Sequence, residues 1–433
     1  MAPQPSWRSA LRNLSLKGLS LGVERACRFV VVVASARVLG QTAFGRFVFA
    51  STVTALLALG TDLGLGLWTT RALARDGSPS HRIVRLGLAL RGLASIPYAL
   101  IVGAVTLLAS PGEMRVAMML LGVAALVNAF VDHFGAILRG YERFRDEAQL
   151  NASRAVLTAG AGLLALLVMR SLGALCAGLA AASLGAAVYG LAKLREYLPG
   201  LDVKNQSGLD GARVRTTLRE SLPIWFAGLL SLLYFKVDTL FLQWMAGDAE
   251  LGAYGAAYKL FEGSMMAPAV VLAVMFPQLA RARDDLPMRR RLERHVAALL
   301  LFSGLALAAA CVAGGSWLIQ VIFGAGFARS VASLRVLSLG LPLVFLNYGL
   351  THFLVARDLQ RMTTWLALMM LVLNVTLDLV LIPTAKGPGA AWATVISEIA
   401  LTLCCLGALN RYAGPTRSLP LVPGGAKRDR RAA

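Results

Sequence analysis

Charged side chains recur inside long apolar stretches of this sequence, and the cations among them have the clearest chemical use. Arg25 and Arg28 share one stretch, Arg91 lies in another, and Lys236 and Lys259 occupy two neighbouring ones. An ionisable group that faces lipid is costly, so such groups usually face a bundle interior or a wet cavity. Arg and Lys bind phosphate by charge-assisted hydrogen bonds. We therefore predict that these five cations bind an anionic, phosphate-bearing substrate.

Two glutamates offer these cations a local partner. Glu24 precedes Arg28 by four residues and Glu262 follows Lys259 by three, so each pair shares one face of a helix and can form an ion pair. The sequence leaves two interpretations open: structural ion pairs that include Glu24 and Glu262, or cations that face a cavity.

Four further titratable residues lie deep in apolar stretches: Asp132, His133, Asp378 and Glu398. If transport is coupled to H+ or Na+, they are the candidates that carry the coupling. An isolated intramembrane histidine is more often a hydrogen-bonded packing residue, and that alternative stays open for His133. Asp62 precedes a Gly-Leu-Gly turn and is interpreted as a helix cap or packing residue.

Three more arginines, Arg37, Arg46 and Arg335, lie near the ends of their apolar stretches. Long cationic side chains at such places extend to the aqueous interface. We interpret all three in that way.

The elements that position these residues are membrane helices. The chain has 433 residues, of which 57% are hydrophobic and 15% charged, whereas soluble domains carry about 25% charged residues. A helix needs roughly 20 apolar residues to cross a bilayer. Twelve stretches qualify: 18–38, 44–67, 83–108, 114–138, 152–169, 172–192, 221–245, 251–279, 295–322, 330–356, 362–382 and 389–409.

The net charge of +20 is not a nucleic-acid signal, because the basic residues are spread over short alternate loops rather than one domain. That distribution is typical of cytoplasmic loops and predicts that both termini are cytoplasmic.

Five cysteines all lie in apolar stretches and form no metal-binding spacing, so we expect no cofactor and no metal. The sequence contains no enzyme motif, and its outer loops are too short for a catalytic domain.

The two halves of the chain are similar to each other. FGRFVFA from Phe44 is similar to YGAAYKL from Tyr254, and RGYER from Arg139 is similar to RDLQR from Arg357. Repeats in the same orientation are related by an axis along the membrane normal. The predicted fold is an all-α polytopic membrane protein with about twelve transmembrane helices, in two pseudo-symmetric six-helix lobes around a central cavity.

That duplication gives predicted boundaries for the whole chain. The divisions are an interfacial cytoplasmic N-terminus (1–17), an N-terminal lobe (18–192), a cytoplasmic linker (193–220), a C-terminal lobe (221–409) and a disordered cytoplasmic tail (410–433). Trp7, Leu11 and Leu14, at near-helical spacing among basic residues, predict a short surface helix in the first segment.

Two segments resemble a known family. ARVLGQTAFGRFVFASTVTALLALGTDLGLGLWTTRALAR (36–75) and KVDTLFLQWMAGDAELGAYGAAYKLFE (236–262) are similar to the bacterial polysaccharide transporter family. Its members are flippases for O-antigen and exopolysaccharide repeat units, related to lipid II flippases and to multidrug and toxin (MATE-like) exporters. The resemblance extends over about residues 15–410, and its motifs are loose.

The resemblance implies transport of an undecaprenyl-pyrophosphate-linked oligosaccharide across the bacterial cytoplasmic membrane by two lobes that open alternately. It assigns the headgroup contacts to Arg25, Arg28, Lys236 and Lys259. The implied partners are this lipid-linked substrate, membrane lipid, and a polysaccharide polymerase and glycosyltransferases of the same pathway. The alternative is a cation-coupled exporter of small amphipathic molecules, which the basic bias of the apolar stretches disfavours.

Overall fold

The computed structural model describes residues 7–76, 80–108, 112–198, 210–282 and 285–412, without the side chains of 7–17, 19 and 224. Helices make up the described chain, with one short 3-10 turn (Ala325–Phe327) and no strand. The eleven α-helices are α1 (Trp7–Asp62), α2 (Leu65–Asp76), α3 (His81–Leu108), α4 (Glu113–Gly140), α5 (Phe144–Met169), α6 (Leu172–Tyr197), α7 (Gly211–Ser264), α8 (Met266–Arg281), α9 (Leu286–Phe323), α10 (Ser330–Ala356) and α11 (Gln360–Arg411).

Three of these helices are too long to cross a bilayer once. The helices α1, α7 and α11 contain 56, 54 and 52 residues, or about 80 Å of helix against a hydrocarbon core of about 30 Å. Each folds back at one non-helical residue with positive φ: Gly40 (75°), Gly247 (80°) and Lys386 (51°). Glycine suits the first two because it has no Cβ to clash there.

The described chain has nine continuous helical stretches that are long and apolar enough to span a membrane. Because three of them fold back, they provide twelve crossings. The predicted all-helical polytopic fold is confirmed.

The second crossing differs from its prediction at the inner end. It stops at Asp62 rather than at residue 67, because Leu63 and Gly64 both have positive φ and redirect the chain. A separate helix, α2, follows where a loop was predicted. Its apolar residues Leu65 and Leu73 are buried, so α2 is packed onto the bundle.

The predicted terminal and linker segments are also more helical than expected. A helix begins at Trp7, where a short surface helix was predicted, and it continues directly into the first crossing. Within the predicted linker, α6 extends to Tyr197 and α7 begins at Gly211. Residues 199–209 of that linker and 413–433 of the predicted tail lie outside the described residues.

The helices pack in two groups. Helices α1–α6 contact one another and form the N-lobe, and α7–α11 form the C-lobe. The main contacts between the lobes join α1 and α2 to α7, and α1 to α9 and the 3-10 turn. The helix 41–62 therefore makes most of the contacts between the lobes, and it contacts α7 at both of its ends.

Candidate functional site

The two lobes touch closely at the end that carries the turns at Gly40, Gly247 and Lys386, which we call the hairpin end. A Cβ added to Gly45 would lie 1.9 Å from the carbonyl oxygen of Asp248, and one added to Gly252 would lie 1.9 Å from that of Gln41. Only glycine allows this backbone approach, so both positions are fixed by packing between the lobes.

Polar side chains link the lobes at the same end. Arg46 Nε donates to Asp248 Oδ2 at 2.7 Å, and Arg46 Nη1 lies 3.2 Å from Glu113 Oε2. Gln41 Nε2 donates to the carbonyl oxygen of Ala249 at 2.8 Å. The interpretation of Arg46 as a side chain that merely extends to the interface is wrong.

Arg37 makes the second link. Its guanidinium donates to the carbonyl oxygens of Ile322 (2.8 Å) and Val321 at the end of α9, where helix carbonyls have no intrahelical partner. The Arg37 side chain is exposed while it makes these bonds, as is that of Arg335, so for both residues the extension to the interface stays a prediction. We call the links made by Arg37, Gln41, Arg46 and Asp248 the clasp.

Three predicted substrate cations lie at one depth. Arg28 is twelve residues before Gly40, Lys236 eleven before Gly247, and Lys259 twelve after it. At 1.5 Å per residue this places all three about 17 Å from the hairpin end, near the middle of a bilayer.

In the C-lobe the two lysines share one carboxylate. Lys236 Nζ lies 3.0 Å from Glu262 Oε1, and Lys259 Nζ lies 2.7 Å from Glu262 Oε2. Lys236 also lies over the ring of Tyr258, 5.0 Å from its centroid. The predicted Lys259–Glu262 pair is confirmed, and Lys236, on the other side of the hairpin, joins it.

The N-lobe repeats this arrangement. Arg28 Nη2 lies 2.7 Å from Glu24 Oε1, which confirms the predicted pair, and Arg154 approaches the same oxygen at 3.5 Å. Arg154 also pairs with Asp132 at 2.5 Å. Arg25 is exposed, and no described residue forms an ion pair with it.

Arg154 is the residue that sequence reasoning missed. It lies at the start of a predicted apolar stretch (152–169) and was counted with the basic residues of the preceding loop. The structure puts it well inside α5, where its side chain is only 14% exposed. Its partners come from α1 and α4, and no sequence signal connects them.

The charges of the two lobes face each other. Arg28 is close enough for its charge to act on Lys259 across the lobes. The cation cluster, as we call it, comprises Arg28, Arg154, Lys236 and Lys259. It is accompanied by three carboxylates, those of Glu24, Asp132 and Glu262. One positive charge is therefore in excess.

Arg91 does not belong to this cluster, and its predicted position at a cavity is wrong. The residue is 1% exposed, and its guanidinium donates to Asp62 and to the carbonyl oxygen of Ala129. Asp62 also accepts from the backbone N–H groups of Gly64 (3.2 Å) and Gly66 (3.3 Å). Its predicted capping role is thus confirmed, and Arg91 fastens α3 to that cap.

The predicted coupling residues Asp132 and His133 have different surroundings. The side chain of Asp132 is 63% exposed and belongs to the cation cluster rather than to a buried site. His133 is completely buried, and neither ring nitrogen has a hydrogen-bond partner among the described residues. It packs against Gly87, which the hydroxyl of Thr69 also approaches.

The interior of the C-lobe contains three buried carboxyl groups. Glu398 accepts hydrogen bonds from Tyr234 (2.8 Å) and Asn347 (2.7 Å). Asp378 is completely buried, and neither of its oxygens has a partner in the described chain. Asp238 accepts from the hydroxyl of Tyr254 and is near enough for its charge to act on Asp378.

A buried carboxylate without a partner is costly. A proton or a small cation bound near Asp378 would remove that cost. Asn374, one helical turn earlier on α11, also has a buried side-chain oxygen without a partner. Among the described residues no group of three His, Cys, Asp or Glu side chains has the arrangement of a metal site.

Solved transporter structures share this fold. A multidrug resistance MATE transporter of the MOP superfamily, inward-facing, is 14% identical with a TM-score of 0.75, covering 91% of this chain and 97% of that one. The lipid II flippase MurJ, in an inward closed conformation, is 12% identical with a TM-score of 0.72, covering 91% and 87%. A MOP superfamily transporter from Pyrococcus furiosus is 14% identical with a TM-score of 0.64, covering 93% and 95%. The fold is therefore that of a MOP superfamily transporter.

Family membership follows from the sequence itself. Residues 10–283 match the family described as polysaccharide biosynthesis protein, and the chain belongs to it. No curated protein sequence matches the chain. The relatives in fold are transporters and flippases rather than enzymes.

Proposed function

We propose that this protein is a flippase that moves an undecaprenyl-pyrophosphate-linked oligosaccharide across the bacterial cytoplasmic membrane by alternating access. The observation that carries the proposal is a cluster of four cations, contributed by both lobes, that outnumber their three carboxylate partners. A negatively charged pyrophosphate diester suits such a cluster. Cations contributed by both lobes can hold such a group while the lobes change their relative orientation.

The exposed fractions of three side chains in the cluster indicate how substrate can reach it. The lobes touch at the clasp and again at the opposite end, where Trp225 Nε1 donates to the carbonyl oxygen of Leu59 at 2.8 Å. Between these contacts the side chains of Arg28, Asp132 and Glu262 are 70%, 63% and 43% exposed. We propose that substrate reaches them when the contacts at the opposite, arginine-rich end separate, and that this end faces the cytoplasm together with both termini. The lipid tail stays in the bilayer while the diphosphate and sugars pass between the lobes.

The pathway and the energy source follow from the same proposal. Glycosyltransferases would supply the lipid-linked repeat unit and a polysaccharide polymerase would consume it. We propose that H+ or Na+ binding at Asp378, near Asp238, drives the change between states. The support is the completely buried, unpartnered carboxyl of Asp378.

A cation-coupled exporter of small amphipathic molecules is the second candidate, and the same three buried carboxyls favour it. It predicts that overproduction of the protein gives resistance to cationic drugs and that this resistance requires Asp378 and Glu398. The flippase proposal predicts no such resistance.

The test is transport by the purified full-length chain in proteoliposomes. The substrate is a polyprenyl-diphosphate oligosaccharide, and an external lectin reads the fraction that has crossed. Arg28→Ala and Lys259→Ala should each slow transport about tenfold or more, since a hydrogen bond to a charged group contributes about 1.5–3 kcal/mol.

Arg335→Ala is the matched control, because it removes an exposed arginine outside the cluster. Its transport rate should equal that of the unmodified protein. Normal transport by Arg28→Ala and Lys259→Ala, with normal amounts of folded protein, would show that the cluster is not the headgroup site.

A further inference from the structure

Glu262 occupies the position that a ligand phosphate would need. Its two oxygens each take one lysine, Lys236 at 3.0 Å and Lys259 at 2.7 Å. The two lysine side chains are 17% and 27% exposed, whereas that of Glu262 is 43% exposed. The carboxylate is therefore the accessible member of the group, and an incoming anion would meet it first.

A phosphate group can take the place of this carboxylate because the two groups form the same kind of hydrogen bond. Both present oxygens that accept from ammonium donors, and both form short charge-assisted bonds with them. Two non-bridging phosphate oxygens can take one lysine each, as the oxygens of Glu262 do. The carboxylate and the phosphate cannot bind the same two ammonium groups at the same time, because the two negative charges would repel each other at that distance.

The helix that carries Glu262 is interrupted just after this residue. The helix that carries it ends at Ser264, and α8 begins at Met266. At this joint Met265 N donates to the carbonyl oxygen of Glu262 (3.2 Å), which is a three-residue rather than a four-residue step. The last turn of α7 is therefore not joined to α8 by an unbroken series of i to i+4 backbone hydrogen bonds.

From these contacts we infer that Glu262 is a resident counterion of the phosphate site. It binds both Lys236 and Lys259 and balances one of their two charges when the site is empty, is displaced by the substrate phosphate, and returns to expel it. Glu262 lowers the affinity for phosphate and thereby speeds release. The inference rests on the proposed function, since it assigns a role within that same site.

The experiment measures binding of inorganic pyrophosphate to the full-length protein in zwitterionic lipid nanodiscs by isothermal titration calorimetry. Glu262→Gln keeps the size of the side chain and removes the competing charge. We expect it to bind pyrophosphate about tenfold more tightly, equivalent to about 1.4 kcal/mol. In the transport assay the same variant should show a lower KM together with a lower turnover.

Glu196→Gln is the matched control. Glu196 pairs with Lys193 through both oxygens, at 3.0 and 3.3 Å, on α6 outside the cluster, and its loss should leave binding unchanged. Glu262→Asp is a second variant that keeps the charge. Its side chain is too short to hold both lysines, so its affinity should fall between those of the unmodified protein and Glu262→Gln.

The outcomes separate this inference from the function on which it rests. If the unmodified protein and Lys259→Ala bind pyrophosphate equally or not at all, the proposed phosphate site is wrong and the inference fails with it. If Lys259→Ala loses binding while Glu262→Gln and Glu262→Asp bind as the unmodified protein does, the site stands and the counterion role is overturned.

Discussion

The clasp gives the sharpest prediction about conformation, through Gly252. An alanine there would put its Cβ 1.9 Å from the carbonyl oxygen of Gln41, whereas carbon and oxygen normally approach to about 3.3 Å. The lobes must then separate at the hairpin end by more than 1 Å. That movement breaks the bonds from Gln41 to Ala249 and from Arg46 to Asp248, both shorter than 3 Å.

The size of the effect follows from those losses. Overpacking costs about 1–3 kcal/mol, and the two interlobe bonds, discounted for partial exposure, contribute about 1 kcal/mol together. The cost falls only on the state in which the hairpin end is closed. Gly252→Ala should therefore shift the closed-to-open ratio by about thirtyfold to a thousandfold.

Pulsed electron paramagnetic resonance can measure this ratio. The five native cysteines are first replaced, and spin labels are attached at Arg170→Cys and Arg329→Cys, exposed positions in hairpin-end loops of the two lobes. The unmodified background should show mainly the short interlobe distance and Gly252→Ala mainly a longer one. Gly228→Ala, whose Cβ would meet nothing within 4 Å, is the control. An unchanged distance distribution in Gly252→Ala would refute the reasoning.

The remaining predictions concern single side chains. Arg46→Ala removes the partly exposed pairs with Asp248 and Glu113, of which only the first joins the lobes, and should shift the same distance distribution by about twofold, or about 0.5 kcal/mol; a shift as large as that of the glycine variant would contradict this. Arg91→Ala leaves Asp62 without its charged partner and should destabilise the folded protein by about 3 kcal/mol, seen as a lower thermal midpoint, and an unchanged midpoint would argue against a structural role. Asp378→Asn should abolish the dependence of transport on a H+ or Na+ gradient while pyrophosphate binding stays normal; gradient-driven transport by this variant would exclude Asp378 as the coupling site.

The overall architecture could be predicted because hydropathy and charge are local properties of the sequence. Twelve apolar stretches give twelve crossings, and the pairs Glu24–Arg28 and Lys259–Glu262 follow from helical spacing. The ends of the helices were less predictable. The second crossing ends early because Leu63 turns with positive φ, which its residue type does not signal.

The site was only half predictable because its other contacts join distant parts of the chain. Arg91 finds Asp62 on another helix, and Arg154 finds Asp132 and Glu24 on two others. Each of these arginines lacks an acid within one turn. Arg91 therefore resembled a cavity cation, and Arg154, at the start of its stretch, was counted with a loop. Only the packing of helices within the N-lobe reveals the partners of both.

The most direct test of the central claim is a structure determined with a polyprenyl-diphosphate oligosaccharide bound. The cation cluster predicts the diphosphate between the lobes, within about 4 Å of Arg28 and Lys259, with Glu262 turned away from the lysines. A diphosphate bound elsewhere, with both lysines still on Glu262, would contradict the account.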